Sequence, residues 1–152
     1  ALWAVAGDGP QRGEIEAMLE AAAPGRVKLL GALPADRLAE IYALSDILVW
    51  PAVDEAFGIA LLEAQAAGLP VVAGKARGVP DIIGSGVTGL LPPAGDPGAF
   101  AKAVQRLIDD PELRGRMGSA AARRVRAKFD LPTASAMLAS TLNTVSIARP
   151  AP

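Results

Sequence analysis

Two carboxylates, Glu55 and Glu63, lie eight positions apart across the predicted start of a helix. The apolar segment 46–50 precedes them and predicts a strand, and the nearly all-apolar segment 57–67 predicts a buried helix. Burying a polar group without hydrogen bonds costs roughly 2 to 7 kcal/mol, and burying a charge costs more. We therefore expect Glu63 to meet a cation, a hydrogen-bond donor or a hydroxyl-rich ligand; a neighbouring loop that satisfies this carboxylate is the alternative.

The start of this helix, around Phe57, Gly58 and Ile59, predicts an anion site. Amides at a helix N-terminus and the helix dipole favour negative charge, and glycine permits close approach, so a diphosphate fits here. From Phe57 to Glu63 the helix rises about 9 Å, which is comparable to the span from a diphosphate to its ribose. Glu63 could then accept hydrogen bonds from ribose hydroxyls while Glu55 reaches a group beyond the phosphates. The alternative is that Glu55 only complements the helix N-terminus.

A second glycine-containing segment, Gly7-Asp8-Gly9-Pro10, lies between the first predicted strand and the first predicted helix. Such a loop can bring backbone amides close to a phosphate. A dinucleotide fingerprint would need glycine at position 12, where Arg12 stands, so a hydride-transferring dehydrogenase is disfavoured. The alternative is that Asp8 caps the helix and Pro10 occupies its first turn.

The elements that position these residues follow an α/β rhythm. Apolar segments of strand length alternate with helical patterns, which predicts a Rossmann-like fold with a mostly parallel sheet and helices on both faces. We expect the helix start and both acids to face one crevice at the carboxyl edge of this sheet, where loop 74–81 is either a ligand-binding segment or a plain turn. The predicted strands are 2–6, 27–30, 47–50, 70–73 and 88–91, and the predicted helices are 10–23, 36–44, 57–67, 97–108, 111–129 and 132–147.

Composition limits the chemistry. The chain has no cysteine and no histidine, which excludes disulfides, thiol nucleophiles, Cys/His zinc sites and imidazole acids or bases. A hydrophobic content of 51% with a mean hydropathy of +0.32 indicates a globular chain, and we expect one domain over residues 1–152, with an α/β core at 1–95 and C-terminal helices at 96–152. Apolar runs fall well short of the ~20 residues of a membrane helix, so we expect a cytoplasmic location. Because the chain begins with Ala1 at an apolar strand, we expect it to be cut from something longer.

Charge is distributed unevenly although the net charge is only -1. Residues 112–152 carry seven Lys/Arg against two Asp/Glu. One interpretation is a solvated helix face; another is attraction to anionic lipid headgroups or a phosphate-bearing partner, which would make the protein peripheral to the inner face of the membrane. Nucleic acid is disfavoured because no aromatic residues are interleaved. The basic residues of this helical segment are Arg114, Arg116, Arg123, Arg124, Arg126 and Lys128.

Six motifs in order cover residues 1 to about 130. They are Gly7-Asp8-Gly9-Pro10; Val27-Lys28-Leu29-Leu30-Gly31; Ser45-Asp46-Ile47-Leu48-Val49-Trp50-Pro51; Glu55-x-Phe57-Gly58 with Glu63-Ala64; Gly68-Leu69-Pro70-Val71-Val72; and Gly89-Leu90-Leu91. Together they resemble the C-terminal, donor-binding half of a retaining glycosyltransferase of family 4, a two-domain GT-B enzyme.

This resemblance implies transfer of a sugar from a nucleotide-diphosphate sugar, with retention of anomeric configuration and with neither a metal nor a cofactor. It implies that Glu55 is the catalytic residue near the donor-sugar hydroxyls and that Glu63 binds the ribose. Backbone amides around Phe57, Gly58 and Ile59 would hold the distal phosphate and the sugar.

The resemblance also implies roles for residues closer to the N-terminus. The nucleotide base would lie against backbone near Lys28 and Leu30, and Gly7 and Gly9 belong to the implied donor-binding set. Family members also carry an Arg and a Lys upstream of the Gly7 loop that neutralise the diphosphate, and an N-terminal acceptor-binding domain. This chain contains neither, so we expect weak donor binding and no turnover from it alone.

One motif departs from the family pattern. Where the family usually shows Gly-Gly-x-Pro-Glu, this chain has Arg77-Gly78-Val79-Pro80-Asp81, so the local loop is expected to differ and Arg77 is a candidate phosphate contact. Two other functions stay open. A nucleotide-sugar epimerase of similar fold would normally use additional acid/base residues, and a non-catalytic interaction module would act through the basic tail.

Overall fold

Five strands and seven helices lie within residues 1–147, the part of the chain that this computed structural model describes; they alternate up to α5, and α6 and α7 follow without a further strand. They form two compact units that divide between Leu44 and Ser45. The last five residues of the predicted domain lie outside the described residues, and the assignment of 1–152 to one domain stays a prediction. The elements are β1 (Trp3–Ala6), α1 (Arg12–Ala22), β2 (Val27–Gly31), α2 (Ala35–Leu44), β3 (Leu48–Trp50), α3 (Ile59–Ala66), β4 (Val71–Ala73), α4 (Val79–Ile82), β5 (Gly89–Leu90), α5 (Pro97–Asp109), α6 (Pro111–Lys128) and α7 (Leu131–Ile147).

The first unit contains a parallel pair of strands, β1 and β2. Their register runs from Trp3 opposite Val27 to Val5 opposite Leu29, and then shifts so that Ala6 lies opposite Gly31. The shift skips Leu30, as at a β-bulge, where the extra residue is left out of the ladder.

The helix after β1 begins later than expected. Its N-cap is Gln11, no side chain caps it, and α1 starts at Arg12. Asp8 instead accepts a hydrogen bond from the Gly9 amide at 2.8 Å and contacts the Arg12 guanidinium at 3.3 Å. The interpretation that Asp8 caps this helix with Pro10 in its first turn is therefore wrong.

The second unit is built on a three-stranded parallel sheet in the order β3-β4-β5. The three residues of the central strand β4, Val71, Val72 and Ala73, are each 0% exposed, so both faces of this strand are covered. Leu61 of α3, Val79 of α4 and Leu107 of α5 are also fully buried. The predicted α/β class with parallel strands is thus confirmed.

Two further differences from the predicted helices lie in the second unit. The helix α3 begins at Ile59, two residues later than expected, since Gly58 adopts a left-handed φ of 77° that ends the preceding loop. Part of the predicted loop 74–81 instead forms the single-turn helix α4, which has proline in its first turn and buries Val79 and Ile82.

An aspartate immediately precedes each of the three C-terminal helices. Asp96 caps α5, accepting a hydrogen bond from the Ala99 amide at 2.9 Å, with proline in the first turn. Asp110 caps α6 by accepting from the Leu113 amide at 2.8 Å. Before α7, hydrogen bonds from the side chain and the amide of Thr133 lower the pKa of Asp130 from its usual value.

Two of the basic residues on α6 belong to the packing of the second unit. Arg124 donates to the carbonyl oxygens of Ile82 and Asp81 at 3.1 and 2.9 Å, at the C-terminus of α4. Arg114 donates to the carbonyl oxygen of Leu107 at 3.0 Å, near the C-terminus of α5. Because free carbonyls at helix ends need donors, these two arginines stabilise the fold, and the solvated-face interpretation does not hold for them.

Candidate functional site

The candidate site of the second unit lies where β3 and β4 end. These strands are parallel, so the loop after Trp50 and the loop after Ala73 emerge at the same edge of the sheet, the edge at which open α/β sheets bind ligands. The loop that follows Trp50 lines an open cleft of about 360 Å³ with residues 50–55. Glu55 therefore lies at the cleft, whereas Glu63 is not among the residues that line it, so the two acids do not share this cleft.

The carboxylate of Glu55 is held by two donors. Its Oε2 accepts a hydrogen bond from the indole Nε1 of Trp50 at 3.2 Å, and its Oε1 accepts from the Phe57 amide at 3.4 Å. The side chain is half-buried. Because Phe57 precedes the helix, Glu55 bonds to the loop before α3 rather than to the amides of the first helical turn. The carboxylate is thus oriented at the cleft before any ligand binds.

The N-terminus of α3 has no side-chain cap, because its N-cap residue is Gly58. A Cβ at Gly58 would lie 2.7 Å from Cδ1 of Leu61 and 3.3 Å from Cγ of Glu55, so both the left-handed φ and the close packing require glycine. Phe57 and Ile59 are 53% and 65% exposed. No side chain thus caps the first amides of α3, and the anion site beside Glu55 stays a prediction.

Glu63 lies on the face of α3 opposite the one that packs into the second unit. The buried residues of this helix are Leu61, Ala64 and Gln65, and Glu63 is exposed, as is Ile59 one turn earlier. The expectation of a buried Glu63 is wrong, because this side of the helix faces solvent. The contact of Glu63 with ribose hydroxyls stays a prediction.

The remaining predicted donor-binding residues, Gly7, Gly9, Lys28 and Leu30, lie in the first unit. Gly7 donates its amide to the carbonyl oxygen of Gly31 at 2.8 Å, which fixes the glycine loop against the end of β2. Lys28 is exposed, and Leu30 is the residue skipped in the β1–β2 register. Bulges of this kind often lie next to functional sites, and the role of the four residues in donor binding stays a prediction.

Sequence reasoning missed two contacts at the second unit's site. The first is the hydrogen bond from the Trp50 indole to Glu55. Trp50 is the last residue of a strand, and the signal that could have revealed this contact is that a partly buried indole N–H usually needs an acceptor. Arg77, predicted as a phosphate contact, forms an ion pair from Nε to Oδ1 of Asp54 at 2.6 Å.

The described residues offer neither a metal cluster nor a membrane-spanning helix. Within residues 1–147, no group of three or more metal-ligating side chains is placed to hold a metal ion. No helix in the same part of the chain combines the length and the apolar character needed to cross a membrane.

The fold and the site define an α/β domain in which a helix N-terminus without a side-chain cap lies beside an oriented carboxylate. The chain belongs to the family of glycosyl transferases group 1, whose sequence model matches residues 1–124. It is 38% identical over 118 residues to D-inositol 3-phosphate glycosyltransferase of Corynebacterium glutamicum, covering 78% of this chain and 28% of that protein. It is 35% identical over 144 residues to alpha-D-kanosaminyltransferase of Streptomyces kanamyceticus, covering 94% of this chain and 37% of that protein.

The fold of this chain is also found in solved structures. Alr3699/HepE of Anabaena in complex with UDP superposes with a TM-score of 0.85 at 27% identity, over 95% of this chain and 41% of that chain. The same protein was also solved in complex with UDP-glucose. These matches confirm the predicted resemblance to a GT-B glycosyltransferase half. The chain spans less than two-fifths of the length of either sequence relative, at 28% and 37%.

Proposed function

We propose that this chain is the donor-binding domain of a retaining glycosyltransferase, which transfers a sugar from a nucleotide-diphosphate sugar to an acceptor and needs no metal. The observation that carries the proposal is the orientation of Glu55 by Trp50 and the Phe57 amide, beside a helix N-terminus without a side-chain cap. An anion site next to a fixed carboxylate suits a reaction in which a diphosphate leaves while positive charge develops on the sugar ring.

Each part of the donor has a proposed partner in the second unit. The amides of Gly58 and Ile59 hold the distal phosphate, and Glu55 faces the sugar hydroxyls and the developing positive charge. Glu63 binds the ribose, because it lies one turn beyond Ile59 on the same exposed face, about 6 Å along the helix axis. The complexes of Alr3699/HepE with UDP and UDP-glucose support a nucleotide sugar as the ligand class.

The acceptor is proposed to bind to a separate N-terminal domain of the same enzyme, and this chain alone is proposed to bind donor weakly and to turn nothing over. The test is an assay of a polypeptide that joins residues 1–152 to such a domain, with a panel of nucleotide sugars and analysis of the product anomer. Sugar transfer with retention supports the proposal. Epimerisation of the donor without transfer, or no reaction with any donor, contradicts it.

Replacing Glu63 with alanine should weaken donor binding by about 10- to 100-fold, because a hydrogen bond to a charged group contributes about 1.5–3 kcal/mol. Calorimetric titration with the nucleotide sugar measures the loss. Asp109→Ala is the control, since Asp109 is also an exposed acid, on α5. Equal affinity of the Glu63→Ala variant and the unmodified chain would remove Glu63 from the site.

We also propose a cytoplasmic protein that contacts anionic lipid at the inner face of the membrane through Arg123, Arg126 and Lys128, which are exposed on α6. Each cation near an anionic surface contributes about 1 kcal/mol, so replacing all three with glutamine should lower vesicle binding by roughly 100-fold. Co-sedimentation with vesicles that contain or lack anionic lipid measures this. Equal sedimentation with both vesicle types would show that these cations serve only as a solvated surface.

A further inference from the structure

Two loops run side by side at the carboxyl edge of the β3-β4-β5 sheet. The Gly74 amide donates to the carbonyl oxygen of Trp50 at 3.1 Å, and a Cβ at Gly74 would clash with the carbonyl oxygen of Ala52. Further along, a Cβ at Gly78 would clash with the carbonyl oxygen of Ala56. Backbone contacts therefore fix the loop before α3 at two points, one on each side of residues 53–55.

Between these two points a pair of side chains joins the loops. Nε of Arg77 lies 2.6 Å from Oδ1 of Asp54, the residue immediately before Glu55. Arg77 has a φ of 37° and is the sole non-glycine residue with positive φ in the described part of the chain. An L-residue avoids this conformation because its Cβ crowds the following carbonyl, so the surroundings must hold Arg77 there.

We propose that the Arg77–Asp54 ion pair is a positioning link that holds the Glu55 carboxylate toward the cleft. Backbone contacts hold the segment 53–55 at its two ends, and the ion pair adds a side-chain restraint between them. Arg77 then acts on the reaction through Asp54 and the adjacent peptide, without touching the donor. The significance of the link for catalysis rests on the proposed function of Glu55.

The link should act on orientation and respond to salt. The two side chains are 67% and 72% exposed, and pairs this exposed contribute little to the free energy of unfolding. Mobile ions screen exposed charges that lie farther apart than about one Debye length, which falls from roughly 10 Å at 0.1 M salt to 3 Å at 1 M and so approaches the 2.6 Å of this pair. Raising the salt concentration should therefore loosen Glu55 before it unfolds the chain.

The indole of Trp50 reports on this orientation, because it donates to Glu55. The chain has two tryptophans, so a Trp3→Phe background leaves Trp50 as the single emitter. In that background, the Glu55→Ala variant provides the reference values, which are the emission maximum and the acrylamide quenching of a Trp50 indole that has lost its hydrogen bond to Glu55. Asp54→Asn and Arg77→Gly should each shift both quantities toward the Glu55→Ala values.

The charge-reversed pair, Asp54→Arg with Arg77→Asp, should return the Trp50 signal toward that of the background protein, since aspartate tolerates a left-handed φ better than most residues. Glu112→Gln is the matched control. It breaks an exposed ion pair of α6 with Arg116, at 3.4 Å, and should leave the signal unchanged. Far-UV circular dichroism confirms that every variant is folded.

Two outcomes would overturn the link. The first is a Trp50 signal that neither single variant changes, or that the charge-reversed pair does not restore. The second is a change in UDP affinity of opposite sign in the two single variants, which would show that Asp54 restrains Arg77 from binding phosphate. The fluorescence measurement needs no donor, so a failure of the link is distinguishable from a failure of the proposed glycosyltransferase function.

Discussion

Glu55→Ala is expected to lower kcat for sugar transfer by about 10²- to 10³-fold, the usual effect of removing one preorganised electrostatic contact to a transition state. The reason is structural. Two donors hold the carboxylate in place beside the anion site, so it meets the sugar without the cost of reorienting. The KM for the donor should change much less than kcat, because the diphosphate and the ribose keep their own contacts.

Steady-state kinetics of the polypeptide that joins residues 1–152 to an acceptor-binding domain measures this split. Glu55→Gln is the informative companion variant. Its single amide oxygen can still accept from the Trp50 indole, whereas its NH2 group cannot accept from the Phe57 amide, so the variant keeps one of the two contacts and loses the charge. A kcat of Glu55→Gln close to that of Glu55→Ala assigns the effect to charge. An unchanged kcat in both variants contradicts the catalytic role of Glu55, and Glu112→Ala, remote in sequence on α6, controls for a general effect of removing an acid.

Most of the fold follows from local sequence pattern. The strands could be predicted because short apolar segments alternate with helical periodicity, and the Asp96 cap with Pro97 in the first turn follows from side-chain chemistry alone. The single-turn helix α4 could not, because so short a helix has no periodicity and is held by the burial of Val79 and Ile82. The β1–β2 register shift at Leu30 likewise depends on the pairing of two strands, which no single segment encodes.

The orientation of α3 shows a different limit. Nearly every face of this helix carries apolar residues, so periodicity identifies a helix without revealing which face packs inward. The sequence pattern therefore predicts a buried Glu63, whereas tertiary packing buries Leu61, Ala64 and Gln65 and leaves Glu63 exposed. Its place in the sequence still predicts a residue one to two turns beyond the anion site, which is what the proposed ribose contact needs.

The contacts of Glu55 were only partly predictable. Its position before a helix start follows from the sequence, but its bond to Trp50 requires the chain to turn back at Pro51. The Arg77–Asp54 pair requires β3 and β4 to be neighbours in the sheet, so that the loops after them meet. Such contacts between loops arise from strand order, which is a property of the whole unit.

The same chemical change at two glycines of α6 should have opposite effects on stability. Gly118 is buried, and a Cβ there would clash with the carbonyl oxygen of Gly68 and lie 3.3 Å from Cδ of Pro70. Gly118→Ala should therefore lower the free energy of unfolding by about 3 kcal/mol, since overpacking a rigid backbone contact forces the helix away from the turn between α3 and β4. Gly115 is exposed, and a Cβ there would meet no atom within 4 Å, so Gly115→Ala should raise the free energy of unfolding by about 0.5–1 kcal/mol through helix propensity.

The two variants should differ widely in their free energy of unfolding, although they lie within one turn of the same helix. One introduces a packing clash, and the other gains helix propensity. Gly68 itself adopts a φ of 85° and donates its amide to the carbonyl oxygen of Gln65 at 3.0 Å, so its carbonyl cannot turn aside without breaking the helix end. Urea unfolding followed by far-UV circular dichroism gives both free energies. A Gly118→Ala variant as stable as Gly115→Ala would mean that α6 does not pack against this turn. Other contacts would then have to support β4 and the loop after it, which carries Arg77.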